Sequence, residues 1–99
     1  MPKYAVIFRA EIRALDAEYA AMAGRLRALA LEQYGCVEFF AVTERDQEVA
    51  ISYWESESQI RQWKQDAEHL VAQENGRNKW YRSYRVEVVE LVRSYASGK

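Results

Sequence analysis

Apolar and polar positions follow two different periods along this chain, and each change of period marks a new element. Over residues 4–12, Tyr4, Val6, Phe8 and Ala10 fall on one side of an extended chain, and Ala5, Ile7, Arg9 and Glu11 fall on the other. This predicts a strand whose two faces both begin apolar. Leu15, Tyr19, Met22, Leu26, Leu29 and Gln33 then recur at spacings of 4, 3, 4, 3 and 4, which makes one stripe of an α-helix. Asp16 can cap that helix and Gly35 can stop it. Residues 36–43, with Phe39, Phe40 and Val42, predict a second strand. Residues 44–48 are a polar turn of hairpin length, and residues 49–54 a third strand. Ser56 and Gln59 fit a capping box that opens a short helix through Ile60 and Trp63. Asp66 can cap a separate helical piece carrying Ala67, Leu70 and Val71 and stopped at Gly76. Residues 78–83 predict a polar and aromatic connector and residues 84–95 the last strand, with a fraying end at Ser97-Gly98-Lys99.

The element order β-α-β-β-α-β predicts an α+β, ferredoxin-like fold: a four-stranded antiparallel sheet with helices on one face. We expect a single domain over residues 1–99, with its core at about residues 3–95. The helices cover one sheet face, yet the strands carry apolar residues on both. An uncovered apolar face of several hundred Å² is avoided by soluble monomers. A second copy packed face to face is the simplest cover, so a two-fold homodimer is expected. The alternative is a monomer with a partly apolar sheet.

Composition narrows the chemistry. Apolar residues make up 49% and charged residues 29% of the 99 positions, ordinary values that exclude collagen-like and low-complexity classes. Fourteen basic and fifteen acidic residues give a net charge of −1, which argues against a dedicated nucleic-acid binder. Residues 76–85 interleave cations with aromatics, but they lack the RNA-recognition pattern of glycines and aromatics. The longest stretches free of Asp, Glu, Lys and Arg are six residues, against the about 20 apolar residues that a membrane-spanning helix needs. No secretory leader is read at the N-terminus, so a cytoplasmic location with no membrane partner is expected. One cysteine, Cys36, allows no intrachain disulfide. One histidine and one cysteine, far apart, predict no metal site, and neither a phosphate-cradling loop nor a G-x-S-x-G nucleophile turn occurs. Thirteen aromatic residues suggest a pocket or an interface. The reading places Trp63, Asp66, His69 and Gln73 at one aromatic and polar corner, with His69 and Gln73 one helical turn apart. The plainer reading is that Trp63 packs in the core while His69 lies at the surface.

Several segments together resemble one family. Ser52-Tyr53-Trp54-Glu55-Ser56, Ile60-Arg61-Gln62-Trp63-Lys64, Ala67-Glu68-His69 with Gln73, Gly76-Arg77, Trp80-Tyr81 and Tyr4-Ala5-Val6-Ile7-Phe8-Arg9 are similar to the antibiotic biosynthesis monooxygenase domain family. The nearer likeness is to its small single-domain branch, which includes haem-degrading monooxygenases. The resemblance covers about residues 3–95 and implies a ferredoxin-like unit that dimerises through its sheets into an α/β barrel. It implies oxygenation of a small phenol- or quinol-type aromatic without a metal or flavin of the enzyme's own. The substrate anion then supplies electrons to dioxygen in a dry pocket. On that reading Trp63 and His69 are catalytic, and Phe8, Trp54, Gln73, Trp80 and Tyr81 bind substrate. Haem-degrading members carry an Asn in the first strand, a Trp in the second helical region and a His ten residues after that Trp. Here Trp63 is kept, but Phe8 stands at the Asn position and Gln73 at the ligand position, so no haem cofactor is expected. The other readings are a non-catalytic, small-molecule-binding or stress-associated dimer, and a haem-binding protein.

Overall fold

Strand β1 (Tyr4–Ile12) lies at the interior of the sheet because both of its faces are apolar over its first half. It pairs antiparallel with β3 (Gln47–Trp54) on one side and β4 (Tyr81–Glu90) on the other, and β3 pairs with β2 (Glu38–Glu44). The order is β2-β3-β1-β4, and α1 (Ala17–Gln33) and α2 (Glu57–Gln73) make the two crossovers. This is the ferredoxin-like α+β arrangement. The computed structural model describes residues 2–13, 16–73 and 79–98. Leu15, Gly76, Arg77, Asn78 and the side chain of Gln73 lie outside that description.

Local chemistry sets the element ends. The Asp16 carboxylate accepts the Tyr19 backbone N–H at 2.8 Å, the N-cap expected from the sequence. Ser56 Oγ accepts the Gln59 N–H at 3.3 Å, but Gln59 Oε1 is buried without a partner, so the reciprocal half of the capping box is not made. Helix α2 is continuous through residues 64–66, where a break was expected. No Gly or Pro interrupts it, and the Asp66 carboxylate, free of capping duty, accepts the Tyr34 hydroxyl instead. The hairpin turn is tighter than expected, with Glu44 pairing Gln47 across Arg45 and Asp46. Strand β4 begins at Tyr81 and ends at Glu90, earlier at both ends than the expected residues 84–95. It is an edge strand, where the charged Arg82, Arg85, Glu87 and Glu90 are tolerated.

Gly35 follows the α1 C-cap residue Tyr34 with φ of +80°, the left-handed conformation that ends a helix. A Cβ there would lie 2.7 Å from Gln59 Nε2. Gly35→Ala should therefore lower stability by about 1–2 kcal/mol or more, read as a lower urea midpoint at unchanged slope. An unchanged midpoint would show that the backbone relaxes freely.

Among the described residues, buried side chains form two clusters rather than one. Ala10, Ile12, Tyr19, Met22, Trp80 and Tyr81 pack at one end of the sheet, and Val6, Ala30, Cys36, Trp54 and Ile60 at the other. A domain of this size ordinarily has a single contiguous core. What separates the two clusters is a cavity.

Candidate active site

The strand register puts Phe39, Ala41 and Thr43 of β2 opposite Ser52, Ala50 and Glu48 of β3, on the sheet face that the helices cover. Three of these six residues are small. The helices answer with small residues of their own, Ala23 and Gly24 from α1 and Ala67 from α2. Interiors are otherwise packed to crystal density, so small residues facing small residues leave space that neither layer fills. The result is a partly open cavity of about 620 Å³, within the size range of small-molecule sites.

Aromatic rings wall the cavity. At one end Trp63 leans on Trp54 at 5.4 Å between centroids and meets Phe39 edge-on at 6.3 Å. The Trp63 Nε1–H donates to the Leu26 carbonyl of α1 at 3.1 Å, which fixes the ring against the opposite helix. At the other end Phe8 packs against Tyr81 and Tyr84 with centroids 5.7 and 5.9 Å away. Arg27, Lys64 and Glu68 are exposed residues of the two helices that reach the lining, and Lys64 pairs with Glu68 at 3.5 Å.

The polar end is built from Tyr19, Glu48 and Tyr81. The Tyr19 hydroxyl donates to Glu48 Oε2 at 2.5 Å, and the Thr43 hydroxyl donates to Oε1 at 3.2 Å. Burial, reinforced by the hydrogen bond to Glu48, pushes the Tyr19 phenol well above its ordinary value. Burial also pushes Tyr81 up to about 12; the negative charge of Glu48 adds to the rise, while the hydrogen bond with Tyr19 works against it. Both hydroxyls keep their protons at neutral pH, and the carboxylate among the three belongs to Glu48.

The tyrosine shifts carry a stability consequence. Folding favours the neutral phenols, so this contribution is fully present below the ordinary tyrosine value of 10 and is lost as pH rises toward the folded values. For Tyr81 alone, a rise from 10 to about 12 corresponds to roughly 3 kcal/mol. The urea midpoint should hold up to about pH 10 and fall steeply between pH 10 and 12, less so in Tyr81→Phe. A flat profile across that window in the wild type would contradict the burial of these hydroxyls.

The residues expected from the sequence divide between this cavity and its surroundings. Phe8, Trp63 and Tyr81 line it. Trp54 is fully buried behind Trp63, with its Nε1–H on Ser52 Oγ at 2.8 Å, and Trp80 is fully buried against the Tyr19 ring; neither is part of the lining. His69 is exposed and outside the lining. The expected corner of Trp63, Asp66 and His69 does not form, and helix geometry explains why. On an unbroken α2, Ile60, Trp63, Lys64, Ala67, Glu68 and Val71 share the face toward the cavity, and His69 projects from the opposite side. Tyr19 and Glu48 were not singled out as site residues. The sequence signals for them are the place of Tyr19 on the stripe of α1 and, for Glu48, alternation: it shares its strand face with Ala50, Ser52 and Trp54, so a carboxylate sits where an apolar inner residue belongs.

Among the described residues, no group of three or more His, Cys, Asp or Glu is placed to hold a metal ion, and no helix is long and apolar enough to cross a membrane.

No family model matches the chain. It is 39% identical over 93 residues to the uncharacterized protein YqjZ of Bacillus subtilis, spanning 93% of this chain and 82% of that protein. Among solved structures it resembles SnoaB, a cofactor-independent oxygenase from Streptomyces nogalater, with a TM-score of 0.77 at 16% identity over 98% of this chain and 100% of that one. A candidate antibiotic biosynthesis monooxygenase from Bacillus cereus superposes with a TM-score of 0.64 at 13% identity, over 98% of this chain and 100% of that one. At such identities the likeness establishes a shared fold. The chain belongs to the family of Bacillus subtilis YqjZ and has the antibiotic biosynthesis monooxygenase-like fold.

Proposed function

We propose that this protein is a cytoplasmic monooxygenase that uses no metal, flavin or haem of its own and acts on a small phenol- or quinol-type aromatic bound between the helices and the sheet. The observation that carries this reading is the aromatic-walled cavity of about 620 Å³ with one polar end. Its occurrence on the fold that SnoaB also has supports the oxygenase reading. The reaction asks little of the protein beyond such a space. An electron-rich substrate anion reduces dioxygen itself, provided the site holds the ring, excludes water and stabilises the anion. Phe8, Trp63 and Tyr81 would hold the ring. The Tyr81 hydroxyl would turn its one hydrogen to the developing oxyanion, while that of Tyr19 stays on Glu48.

The reading includes a single domain, of the small single-domain branch, working as a homodimer. On the outer sheet face the register aligns Phe40 with Ile51 and Ile7, and Val42 with Val49. Phe40 and Val42 are each about half exposed in one chain, at 52% and 51%. Among the described residues no helix lies over that face, and a second copy would cover it.

Anthrone, the keto form of a phenol, provides a direct assay. Its methylene would become a carbonyl, one atom of dioxygen entering the product and the other leaving as water with the two methylene hydrogens. Oxygen uptake should exceed the buffer rate with one oxygen consumed per anthraquinone formed, in the presence of a chelator and without added flavin. Tight binding of anthrone with no uptake above buffer would favour the non-catalytic binding reading.

A further inference from the structure

The cavity's polar end suggests what distinguishes a good ligand from a poor one. Glu48 lies in β3 on the inner face, opposite Ala10 of β1 and Thr43 of β2. A half-buried carboxylate in that position is unfavourable unless its oxygens are hydrogen-bonded. Tyr19 occupies one acceptor position at 2.5 Å and Thr43 another at 3.2 Å. An ionised carboxylate offers about four such positions, so about two remain on a group that itself lines the cavity. Both tyrosine hydroxyls are neutral near pH 7 and are weaker acceptors than a carboxylate. The other charged groups of the lining, Arg27, Lys64 and Glu68, come from the exposed helix surfaces. Along β3, Glu48 and Ser52 near the Trp63 end are four residue steps apart, about 13 Å of strand, which leaves room for a two- or three-ring aromatic.

We propose that Glu48 is the ligand-selecting group of this cavity: its carboxylate accepts the hydrogen of an aromatic hydroxyl, so the site discriminates for hydroxylated rings against the same rings without that donor. The inference rests on the reading of the cavity as a ligand site and adds the chemistry by which it selects. In the bound state the hydroxyl donates to Glu48 while the rings pack between Phe8 and Trp63. A methyl ether of the same ring would leave the carboxylate facing an apolar methyl with an acceptor position unfilled.

The test is calorimetric titration of the wild-type protein with 1-naphthol and with 1-methoxynaphthalene, which differ by that one donor and are both uncharged at neutral pH. A hydrogen bond to a charged acceptor should make 1-naphthol bind roughly tenfold or more tightly. Glu48→Gln, with its weaker neutral acceptor, should bring the two affinities to within about threefold. Tyr19→Phe frees an acceptor position on Glu48 and should keep the preference or widen it. Equal affinity of the two compounds for the wild type overturns the inference and leaves the cavity as a ligand site. Failure of the wild type to bind either compound overturns the cavity reading itself. An undiminished preference in folded Glu48→Gln, or its loss in Tyr19→Phe, assigns selection to another group and overturns the inference. Should Glu48→Gln not fold, the wild-type pair and Tyr19→Phe still decide.

Discussion

Ile51→Asp should turn the proposed dimer into a monomer, raising its dissociation constant at least roughly a thousandfold. Ile51 lies in β3 on the outer sheet face, paired with Ile7 of β1 and Phe40 of β2. In a face-to-face two-fold dimer the substitution occurs twice, and each carboxylate loses water without gaining a partner. Each such burial costs several kcal/mol, so two together exceed the about 4 kcal/mol that a thousandfold change requires. The fold itself should survive, because in the separated chain the aspartate faces solvent. Sedimentation at micromolar concentration should give twice the 11.6 kDa chain mass for the wild type and the single-chain mass for the variant. A wild type already monomeric there would mean that the apolar face is tolerated uncovered.

Trp54→Ala should lower stability by about 3–5 kcal/mol, a large part of the 5–15 kcal/mol that holds a typical domain together. The Trp54 side chain is fully buried, and it supports Trp63 from behind at 5.4 Å. Its loss opens a cavity and also orphans the Ser52 hydroxyl, which is buried at 3% exposure and bonded to the indole at 2.8 Å. The urea midpoint should fall far more than for Trp63→Phe, a residue whose ring borders space that is already empty. A loss below about 1.5 kcal/mol would show that the two-layer packing collapses around the missing ring.

The sheet, α1 and the Asp16 cap were legible because they rest on local signals: alternation over residues 4–12, a stripe of period 3.6 and an acceptor one step before a helix. The continuity of α2 was not. Lys64, Gln65 and Asp66 form a polar interval that looks like an interruption, and the partner that occupies Asp66 is Tyr34, 32 residues away. The error carried through to the site, because a broken helix would have let His69 turn toward Trp63, and the unbroken one does not. Trp54 and Trp80 are aromatics that sequence cannot assign to core or cavity, since both environments select large rings. Glu48 was masked by its neighbours, as Glu44, Arg45, Asp46 and Gln47 make the whole interval read as turn. Only the register that sets Glu48 opposite Ala10 and Thr43 turns it inward.

The most direct test of the proposed reaction is oxygen uptake with anthrone by the wild type and by Ala50→Phe. Ala50 is a small floor residue paired with Phe8 and Ala41, so a phenyl group there narrows the cavity at its middle without burying charge. Aromatic residues suit strands, and the variant should melt cooperatively near the wild-type temperature. The wild type should consume oxygen above the buffer rate, forming anthraquinone one for one, and Ala50→Phe should fall to the buffer rate. A folded Ala50→Phe that turns over like the wild type, or a wild type no faster than buffer, would contradict the assignment of this cavity as the site of oxygenation.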